Sequence, residues 1–117
     1  MIVGVGVDLV DLQRFEQTLA NTPKMVERLF AECEREGSVQ TLAGRFAAKE
    51  ALIKAVGDPT GMRWHEVVLG YDQLGKPSIS TLGATDTFTR NAGIDRFHVS
   101  ISHDGGKAVA VVVAEGA

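Results

Sequence analysis

Hydrophobic and polar positions alternate strictly at the start of this chain, and residues 2–10 are therefore predicted to form a β-strand. One face of that strand carries branched side chains, which are Val3, Val5, Val7 and Leu9. The opposite face carries Gly4, Gly6 and Asp8. Because glycine has no side chain, this face leaves room for another backbone to approach closely beside the Asp8 carboxylate.

The spacing of hydrophobic residues along the rest of the chain predicts the remaining helices and strands. Helical patterns cover residues 12–20, 23–30, 38–57 and 83–92, and short alternating or apolar runs predict strands at 66–71, 78–81, 96–103 and 107–115. The charged segment 32–37 is predicted to be an exposed helical turn. Strands that follow one another through short turns pair antiparallel, so we expect an α+β fold with an antiparallel sheet and a long central helix, in one domain spanning residues 1–117.

The long helix has an unusual composition between Leu42 and Gly57. Small residues occupy much of its surface, namely Gly44, Ala47, Ala48, Ala51 and Ala55, so the helix has no solvated charged face and is predicted to be buried. It nevertheless contains Arg45, Lys49, Glu50 and Lys54. Buried charges are costly unless they are paired or used, so the helix is predicted to hold three cations and one carboxylate at a working site.

Composition limits the classes of function. The net charge of -3 gives no overall reason to bind nucleic acid or an anionic membrane, so an anionic ligand would need a local basic patch. Cys33 is the single cysteine, which excludes an intrachain disulfide and fits a reducing compartment. The apolar N-terminal run is short and no segment approaches a membrane-spanning length, so we expect a soluble cytoplasmic protein.

Two interpretations of the charged residues remain open at this point. If Asp8 and Glu50 converge, they form a two-carboxylate site for a hard cation such as Mg²⁺, which keeps waters and takes further ligands from substrate phosphates. The three cations Arg45, Lys49 and Lys54 would then neutralise those phosphates, as phosphoryl transfer requires. In the purely structural alternative, Asp8 caps a turn and Glu50 pairs with Lys54 along the helix.

Four segments together resemble a known family. Residues 4–14 (GVGVDLVDLQR), 45–54 (RFAAKEALIK), 75–77 (GKP) and 98–103 (HVSISH) resemble, in order and over nearly the whole chain, the holo-[acyl-carrier-protein] synthases, the small single-domain phosphopantetheinyl transferases. The resemblance implies transfer of the 4′-phosphopantetheine group of coenzyme A to a serine of an apo acyl carrier protein, with release of adenosine 3′,5′-bisphosphate, in support of fatty acid biosynthesis.

The resemblance also implies roles for individual residues. Asp8 and Glu50 match Mg²⁺ ligands, and Lys54 matches a lysine beside the pyrophosphate, which makes these three the catalytic set. Arg14 matches an arginine that docks the acidic helix of the carrier protein. The residues expected to hold coenzyme A are Arg45, Lys49, Lys54, Gly57, Lys76, Pro77, Ser100, Ser102 and His103. Family members are homotrimers with active sites shared between subunits, which would explain a long helix with no solvated face.

Several points stay open on the sequence alone. The loop 57–61 contains Asp58 and Pro59 where many relatives have a Gly-Thr-Gly-like turn, so a backbone contact to phosphate there is in doubt. The general base is Glu50, Asp8 or a metal-bound water, and the carrier is free-standing or a domain of a larger synthase. Two other classes, a coenzyme A or nucleotide-binding module without transfer activity and a structural trimeric scaffold, are less favoured because neither needs the Asp8, Glu50 and Lys54 set.

Overall fold

The computed structural model describes residues 1–117, and every predicted helix and strand is present within one or two residues of its expected bounds. The helices are α1 (Leu12–Asn21), α2 (Met25–Leu29), α3 (Val39–Val56) and α4 (Gly83–Asn91). The strands are β1 (Ile2–Asp11), β2 (Val67–Tyr71), β3 (Pro77–Thr81), β4 (Arg96–Asp104) and β5 (Lys107–Glu115). Two short 3₁₀ turns cover Glu32–Glu34 and Trp64–Glu66.

All strand pairs are antiparallel, as expected, but the strands form two sheets. The larger sheet has the order β1-β5-β4, and β2 pairs with β3 as a separate hairpin. In the larger sheet Val7 faces Val111, and Val111 faces Ser100 on its other side. This register places Asp8 on the face of the sheet that packs against α3, since Asp8 pairs with the fully buried Ala110.

Helix α3 lies very close to β1, and the two glycines of the strand make this possible. A Cβ atom at Gly6 would lie 1.9 Å from the carbonyl oxygen of Ala51, and one at Gly4 would lie 1.9 Å from that of Ala55. The predicted close backbone approach is therefore confirmed, and its partner is the helix that bears Glu50. The alanines that meet the sheet are almost completely buried; they are Ala47, Ala48, Ala51 and Ala55.

Both ends of α3 are defined by local chemistry. The Ser38 hydroxyl oxygen accepts a hydrogen bond from the Thr41 amide at 3.1 Å, as a helix N-cap does. Gly57 follows the last turn with φ of 86°, a left-handed conformation that glycine adopts without steric cost. These two caps fix the length of the helix and confirm the start and stop that the sequence predicts.

The 3₁₀ turn before α3 differs from expectation. Segment 32–37 was expected to be exposed, but the Glu34 side chain is buried beneath this turn and is 1% exposed as a residue. The reason is a buried cation, because the Lys49 ammonium lies 2.7 Å from the Glu34 carboxylate. The prediction of a fully exposed turn was therefore wrong at Glu34, although Glu32 and Glu36 are exposed.

The other face of the larger sheet is apolar and uncovered. Its exposed side chains include Val3, Val5, Val7, Leu9 and Val111, and the exposed fraction of Val5 is 61%. Branched side chains are normally covered when they share a continuous face. This surface, the outer β-face, is formed by β1, β5 and β4, and it lies opposite α3.

No helix combines the length and the hydropathy needed to cross a bilayer.

Candidate active site

Asp8 and Glu50 converge on one cleft between β1, α1 and α3. The cleft has a volume of about 310 Å³, and Arg14 and Asp11 contribute further charges to its wall. Its apolar lining comes from four elements, β1, α1, α2 and α3, and consists of Leu9, Val10, Phe15, Met25 and Phe46. The convergence arises because the glycine face of β1 carries Asp8 and the facing helix carries Glu50.

Lys54 completes this group of charges from the next turn of α3. Its Nζ atom donates to Asp8 Oδ1 and to the carbonyl oxygen of Val7, both at 3.1 Å. The structural alternative is therefore wrong in its details. Asp8 lies within β1 and caps no turn, and Lys54 forms its salt bridge with Asp8 on that strand rather than with Glu50 along the helix. Slightly more than half of the Lys54 side chain is exposed, which leaves the ammonium accessible to a ligand.

The environment of Glu50 disfavours its charged form. Burial raises the pKa of the Glu50 carboxyl above its usual value, the negative charge of Asp8 raises it further, and Lys54 partly opposes both effects. A cation placed between Asp8 and Glu50 would remove the repulsion between the two carboxylates. Additional positive charge in the cleft would therefore stabilise the two carboxylates in their charged forms.

The two carboxylates fit Mg²⁺ better than a transition metal. No group of three or more histidine, cysteine, aspartate or glutamate side chains is assembled anywhere in the chain, so a zinc site of the usual kind is absent. Magnesium is commonly bound by one or two carboxylates, with waters and substrate phosphates as its remaining ligands. Asp8 and Glu50 are the residues that could hold such an ion.

The position of Arg14 is set by the start of α1. Asp11 caps this helix by accepting a hydrogen bond from the Arg14 amide at 2.9 Å, and it also pairs with Lys107. The hydrogen bond from Lys107, with that from the Arg14 amide, lowers the pKa of the Asp11 carboxyl. The Arg14 side chain forms no salt bridge, and the same is true of the exposed Lys24 and Arg28. These three cations remain free on α1, on α2 and in the link between them.

Stacked aromatic rings support the apolar side of the cleft. The ring centroids of Phe15 and Phe46 are 5.3 Å apart, and those of Phe46 and Trp64 are 5.5 Å apart. Offset stacking of this kind adds to the stability gained by burial. The stack connects α1 through α3 to the 3₁₀ turn before β2, so the shape of the cleft depends on the position of that turn.

Lys49 lies in the protein core and not in this cleft, so the structure does not support its predicted contact with coenzyme A. Its side chain is fully buried, and its ammonium donates to Glu34 Oε1 and to the carbonyl oxygens of Trp64 and Val67. Burial lowers the pKa of Lys49, and the Glu34 carboxylate opposes that shift. All three N–H donors are used within the core, so Lys49 has none left for a substrate.

Arg45 is also engaged by the protein. One of its terminal nitrogens donates to the carbonyl oxygens of Glu34 and Glu36, and its guanidinium lies 5.7 Å from the ring centroid of Tyr71. Its Nε atom is buried with no hydrogen-bond partner. Arg45 is therefore a clamp on the turn before α3 and does not line the cleft of Asp8 and Glu50.

The two serines and the histidine expected to bind coenzyme A together lie on opposite faces of β4. Ser100 and Ser102 are exposed on the outer β-face, beside Val111 and Val109. His103 points the other way, with its Nε2 atom 3.0 Å from the carbonyl oxygen of Gln40 at the start of α3. Within one chain, neither group reaches the cleft.

The remaining predicted residues are exposed or half-exposed and lie in separate places. Lys76 lies in the β2–β3 turn, where its amide donates a hydrogen bond to the Asp72 carboxylate at 2.9 Å. Pro77 begins β3. Gly57 ends α3. In the following loop the Asp58 carboxylate accepts hydrogen bonds from the amide and hydroxyl of Thr60. The structure thus places Asp8, Glu50 and Arg14 in the cleft, with Lys54 bonded to Asp8, and leaves the other candidates elsewhere.

Sequence reasoning missed Glu34 as the partner of Lys49. The usable signal was the rule that a buried ammonium needs a carboxylate. The chain offers Glu32, Glu34 and Glu36 in one short segment, and nothing in their spacing distinguishes the inward residue. The aromatic stack was missed for a similar reason, since its three rings come from distant parts of the chain.

Comparison with known proteins agrees with this architecture. A family model described as the 4′-phosphopantetheinyl transferase superfamily matches residues 4–112. The holo-[acyl-carrier-protein] synthase of Arthrobacter sp. (strain FB24) is 49% identical over 99% of this chain and 100% of its own length. That of Kocuria rhizophila is 52% identical over 98% of this chain and 94% of its own length.

Solved structures extend the agreement to the backbone. The holo-[acyl-carrier-protein] synthase from Neisseria meningitidis superposes with a TM-score of 0.88 at 35% identity, covering 98% of this chain and 99% of the other. The synthase from Bacillus anthracis, determined in complex with coenzyme A (3′,5′-ADP), gives a TM-score of 0.80 at 38% identity and covers 100% and 99% of the two chains. Motifs, fold and full-length similarity together place this chain in the 4′-phosphopantetheinyl transferase superfamily, among relatives named holo-[acyl-carrier-protein] synthase.

Proposed function

We propose that this protein transfers the 4′-phosphopantetheine group of coenzyme A to a serine hydroxyl of an apo acyl carrier protein, giving the holo carrier and adenosine 3′,5′-bisphosphate, in support of fatty acid biosynthesis. The observation that carries the proposal is the convergence of Asp8, Glu50 and Lys54 at one cleft. Two carboxylates beside an accessible ammonium are the groups that a metal-assisted transfer from a pyrophosphate requires.

Asp8 and Glu50 are the residues that would hold Mg²⁺ in this proposal. When bound, the metal supplies positive charge that offsets the negative charge developing on the pyrophosphate oxygens. Two features support this assignment: Asp8 and Glu50 line the same cleft, and the pKa of Glu50 is raised by burial and by the charge of Asp8. A bound cation would offset the negative charge that the two carboxylates bring together.

The chain's other groups have separate tasks in the transfer. The serine oxygen forms a bond to the β-phosphorus of coenzyme A in line with the breaking bond to the bridging oxygen, and adenosine 3′,5′-bisphosphate leaves with that oxygen. Lys54 donates toward the pyrophosphate and offsets charge on the leaving phosphate. The serine proton must be removed, and Glu50 and Asp8 are the carboxylates of the cleft that can accept it.

The carrier is proposed to dock at α1 and α2. Arg14 lines the same cleft as Asp8, so a protein bound at Arg14 would present its serine near the two carboxylates. Arg14, Lys24 and Arg28 form no salt bridge within the chain, which leaves them available to an acidic partner. This local patch would allow an enzyme with a net charge of -3 to bind an acidic protein.

A homotrimer with shared sites is proposed for two reasons. The outer β-face exposes Val3, Val5 and Val7 in a row, which is the kind of surface that a second subunit covers. Ser100 and Ser102 lie on that same face, away from the cleft of their own chain. In an assembly through this face they could contribute to the coenzyme A site of a neighbour.

The other residues proposed to contact coenzyme A lie outside the cleft of Asp8 and Glu50. Gly57, Lys76, Pro77 and His103 would contact coenzyme A from the ends of their elements, and the accessible part of Arg45 would meet its ribose phosphate. The same activity is proposed for the whole chain as one domain. A cytoplasmic location stays a prediction.

Mass spectrometry of an apo acyl carrier protein tests the transfer directly. The carrier is incubated with the enzyme, coenzyme A and Mg²⁺, and the mass of the intact carrier is measured over time. We expect one phosphopantetheine to be added to the carrier serine, and no addition when that serine is replaced by alanine. Binding of coenzyme A without any adduct, on carriers from several bacterial sources, would favour a binding module; no binding would favour a scaffold.

A further inference from the structure

Helix α3 meets the sheet through side chains that give it little rotational preference. Its buried residues include Ala43, Ala47, Ala48, Ala51 and Ala55, and each of these presents only a methyl group. Alanine faces allow close approach, but they lack the large side chains that interlock with a partner surface. The alanines therefore fix neither the rotation of α3 about its axis nor its position along that axis, which depend on its larger apolar residues (Leu42, Phe46 and Leu52) and on its polar contacts.

The buried pair of Lys49 and Glu34 provides such contacts. The Lys49 ammonium donates to the Glu34 carboxylate at 2.7 Å and to the Trp64 carbonyl oxygen at 2.9 Å, and it also donates to the Val67 carbonyl oxygen. Glu34 accepts from the amides of Ala31 and Leu69, each at 2.9 Å. One fully buried pair thus joins α3 to the preceding 3₁₀ turn, the following 3₁₀ turn and β2.

A second clamp lies one helical turn earlier on α3. Arg45 donates to the carbonyl oxygens of Glu34 and Glu36, so two cations of the helix hold the same short segment. Because Lys49 and Glu50 are adjacent, their side chains leave the helix about 100° apart. A rotation that moves Lys49 away from Glu34 would turn Glu50 and Lys54 away from Asp8 by the same angle.

We propose that Lys49 and Glu34 are positioning residues for the transfer reaction, which fix the rotation of α3 so that Glu50 and Lys54 face Asp8. The proposal rests on the proposed function for its catalytic consequence. Setting the register of a packed helix is the best-attested role of buried polar groups in proteins. Neither residue touches the substrate, because all N–H donors of Lys49 are used in the core.

A cross-link between Lys54 and Asp8 reports this rotation without any need for activity. Their side chains are 3.1 Å apart, so a carbodiimide can join them by an amide bond that mass spectrometry of peptides detects. The Lys107–Asp11 pair, which joins β5 to the end of β1 and does not involve α3, serves as an internal reference in the same digest.

The test variant is the double substitution Glu34→Gln with Lys49→Met. It removes both charges, so no unpaired charge is buried, and the amide of the introduced glutamine can still accept a backbone N–H. We expect a folded protein in which the Lys54–Asp8 cross-link falls about tenfold relative to Lys107–Asp11, because the helix samples other rotations. We also expect kcat for transfer to fall about 100-fold, the effect of misplacing catalytic groups by about 1 Å.

A matched control removes a buried polar contact that is remote from α3. Thr89 is almost fully buried and its hydroxyl donates to the Asp86 carbonyl oxygen within α4 at 3.1 Å, so Thr89→Val should lower stability without altering the cross-link or kcat. The proposal is overturned if the folded double variant retains wild-type cross-linking or wild-type kcat, or if Thr89→Val loses the cross-link to the same extent. An inactive wild-type enzyme would refute the proposed function, while the cross-link would still test the rotation.

A milder variant keeps the test decisive if the double variant does not fold by circular dichroism. Glu34→Asp keeps a carboxylate for the buried Lys49 ammonium and only shortens the side chain by one methylene group, so no unpaired charge is buried. It is expected to reduce the Lys54–Asp8 cross-link about threefold relative to the reference pair. Unchanged cross-linking in this variant would overturn the proposal.

Discussion

Lys54 Nζ lies 3.1 Å from Asp8 Oδ1 and thereby joins the last turns of α3 to the buried face of β1, across a separation of 46 residues in sequence. The contact exists because Gly4 and Gly6 allow the helix backbone to approach the strand. It brings an ammonium group to a pair of carboxylates, of which Glu50 has a pKa raised by burial and raised further by the charge of Asp8. Folding thus brings Asp8, Glu50 and Lys54 together from distant parts of the sequence.

Replacement of Lys54 by methionine should separate function from stability. The Lys54 side chain is more than half exposed, so loss of its pair with Asp8 should change the free energy of unfolding by about 1 kcal/mol or less. Loss of a positive group at the leaving phosphate should lower kcat by about 10²- to 10³-fold. Steady-state kinetics and urea denaturation measure the two effects. Arg90→Met, which breaks the exposed pair with Asp86, is the control, and transfer by Lys54→Met within a few-fold of wild type would contradict the assignment.

Glu50 should make stability depend on pH in a defined direction. Its pKa in the folded protein is raised, so the folded state binds more protons than the unfolded state between the usual value of 4.5 and the raised value. The contribution of Glu50 is therefore fully present below pH 4.5 and is lost as pH rises through the folded pKa. Wild type should therefore lose stability as pH rises from 4.5 through the raised pKa of Glu50. Urea denaturation of Glu50→Gln in a chelator, over the same pH range, should show a smaller loss in the free energy of unfolding.

The same variant gives a second expected result at neutral pH. Glu50→Gln should be at least as stable as wild type in the absence of metal, because it removes a partly buried charge next to Asp8. Added Mg²⁺ should stabilise wild type and leave Glu50→Gln unchanged. Identical pH profiles, or equal stabilisation of both proteins by Mg²⁺, would be inconsistent with the described site.

Gly6→Ala should displace α3. The added Cβ would lie 1.9 Å from the carbonyl oxygen of Ala51, and backbone cannot move aside as a side chain can. We expect a loss of about 1–3 kcal/mol in the free energy of unfolding and a larger proportional loss of transfer activity. Gly70→Ala is the matched control, since its Cβ would meet only the Ser78 hydroxyl at 3.4 Å. Equal behaviour of the two variants in denaturation and kinetics would argue against the close approach.

Val5→Lys should dissociate the proposed trimer. The Val5 side chain is exposed on the outer β-face, so in an isolated chain the substitution would affect stability very little. In an assembly it would bury a charge without a partner. Light scattering after size-exclusion chromatography should give a trimer mass for wild type and for Leu82→Lys, an exposed apolar control outside this face, and a smaller mass for Val5→Lys. A wild-type monomer would refute the trimer.

Much of this architecture follows from local sequence patterns. The alternation in β1 and the small residues of α3 predict that strand and helix meet closely, and that prediction led to the pair of Asp8 and Glu50. The partner of Lys49 could not be predicted, because burial of Glu34 depends on how the turn before α3 folds back onto the helix. Glu32, Glu34 and Glu36 are equivalent in sequence and differ only in this tertiary contact.

The placement of the β4 residues shows a different limit. Strict alternation puts Ser100 and Ser102 on one face and His103 on the other, and the structure follows this pattern. Grouping them as one ligand set came from their closeness in a motif, which takes no account of side-chain direction. In the proposed trimer, neighbouring subunits would decide which of them approaches coenzyme A, and contacts between chains leave no periodic signal in a sequence.

Transfer activity as a function of free Mg²⁺ tests the central claim most directly. Holo carrier formation is measured by mass spectrometry for wild type, Asp8→Asn and Glu50→Gln, first in a chelator and then across a Mg²⁺ titration. We predict no transfer by wild type in the chelator, full recovery with Mg²⁺, and a loss of about 10²-fold or more in each variant at all Mg²⁺ concentrations. Undiminished transfer by wild type in the chelator, or wild-type rates in either variant, would contradict the account.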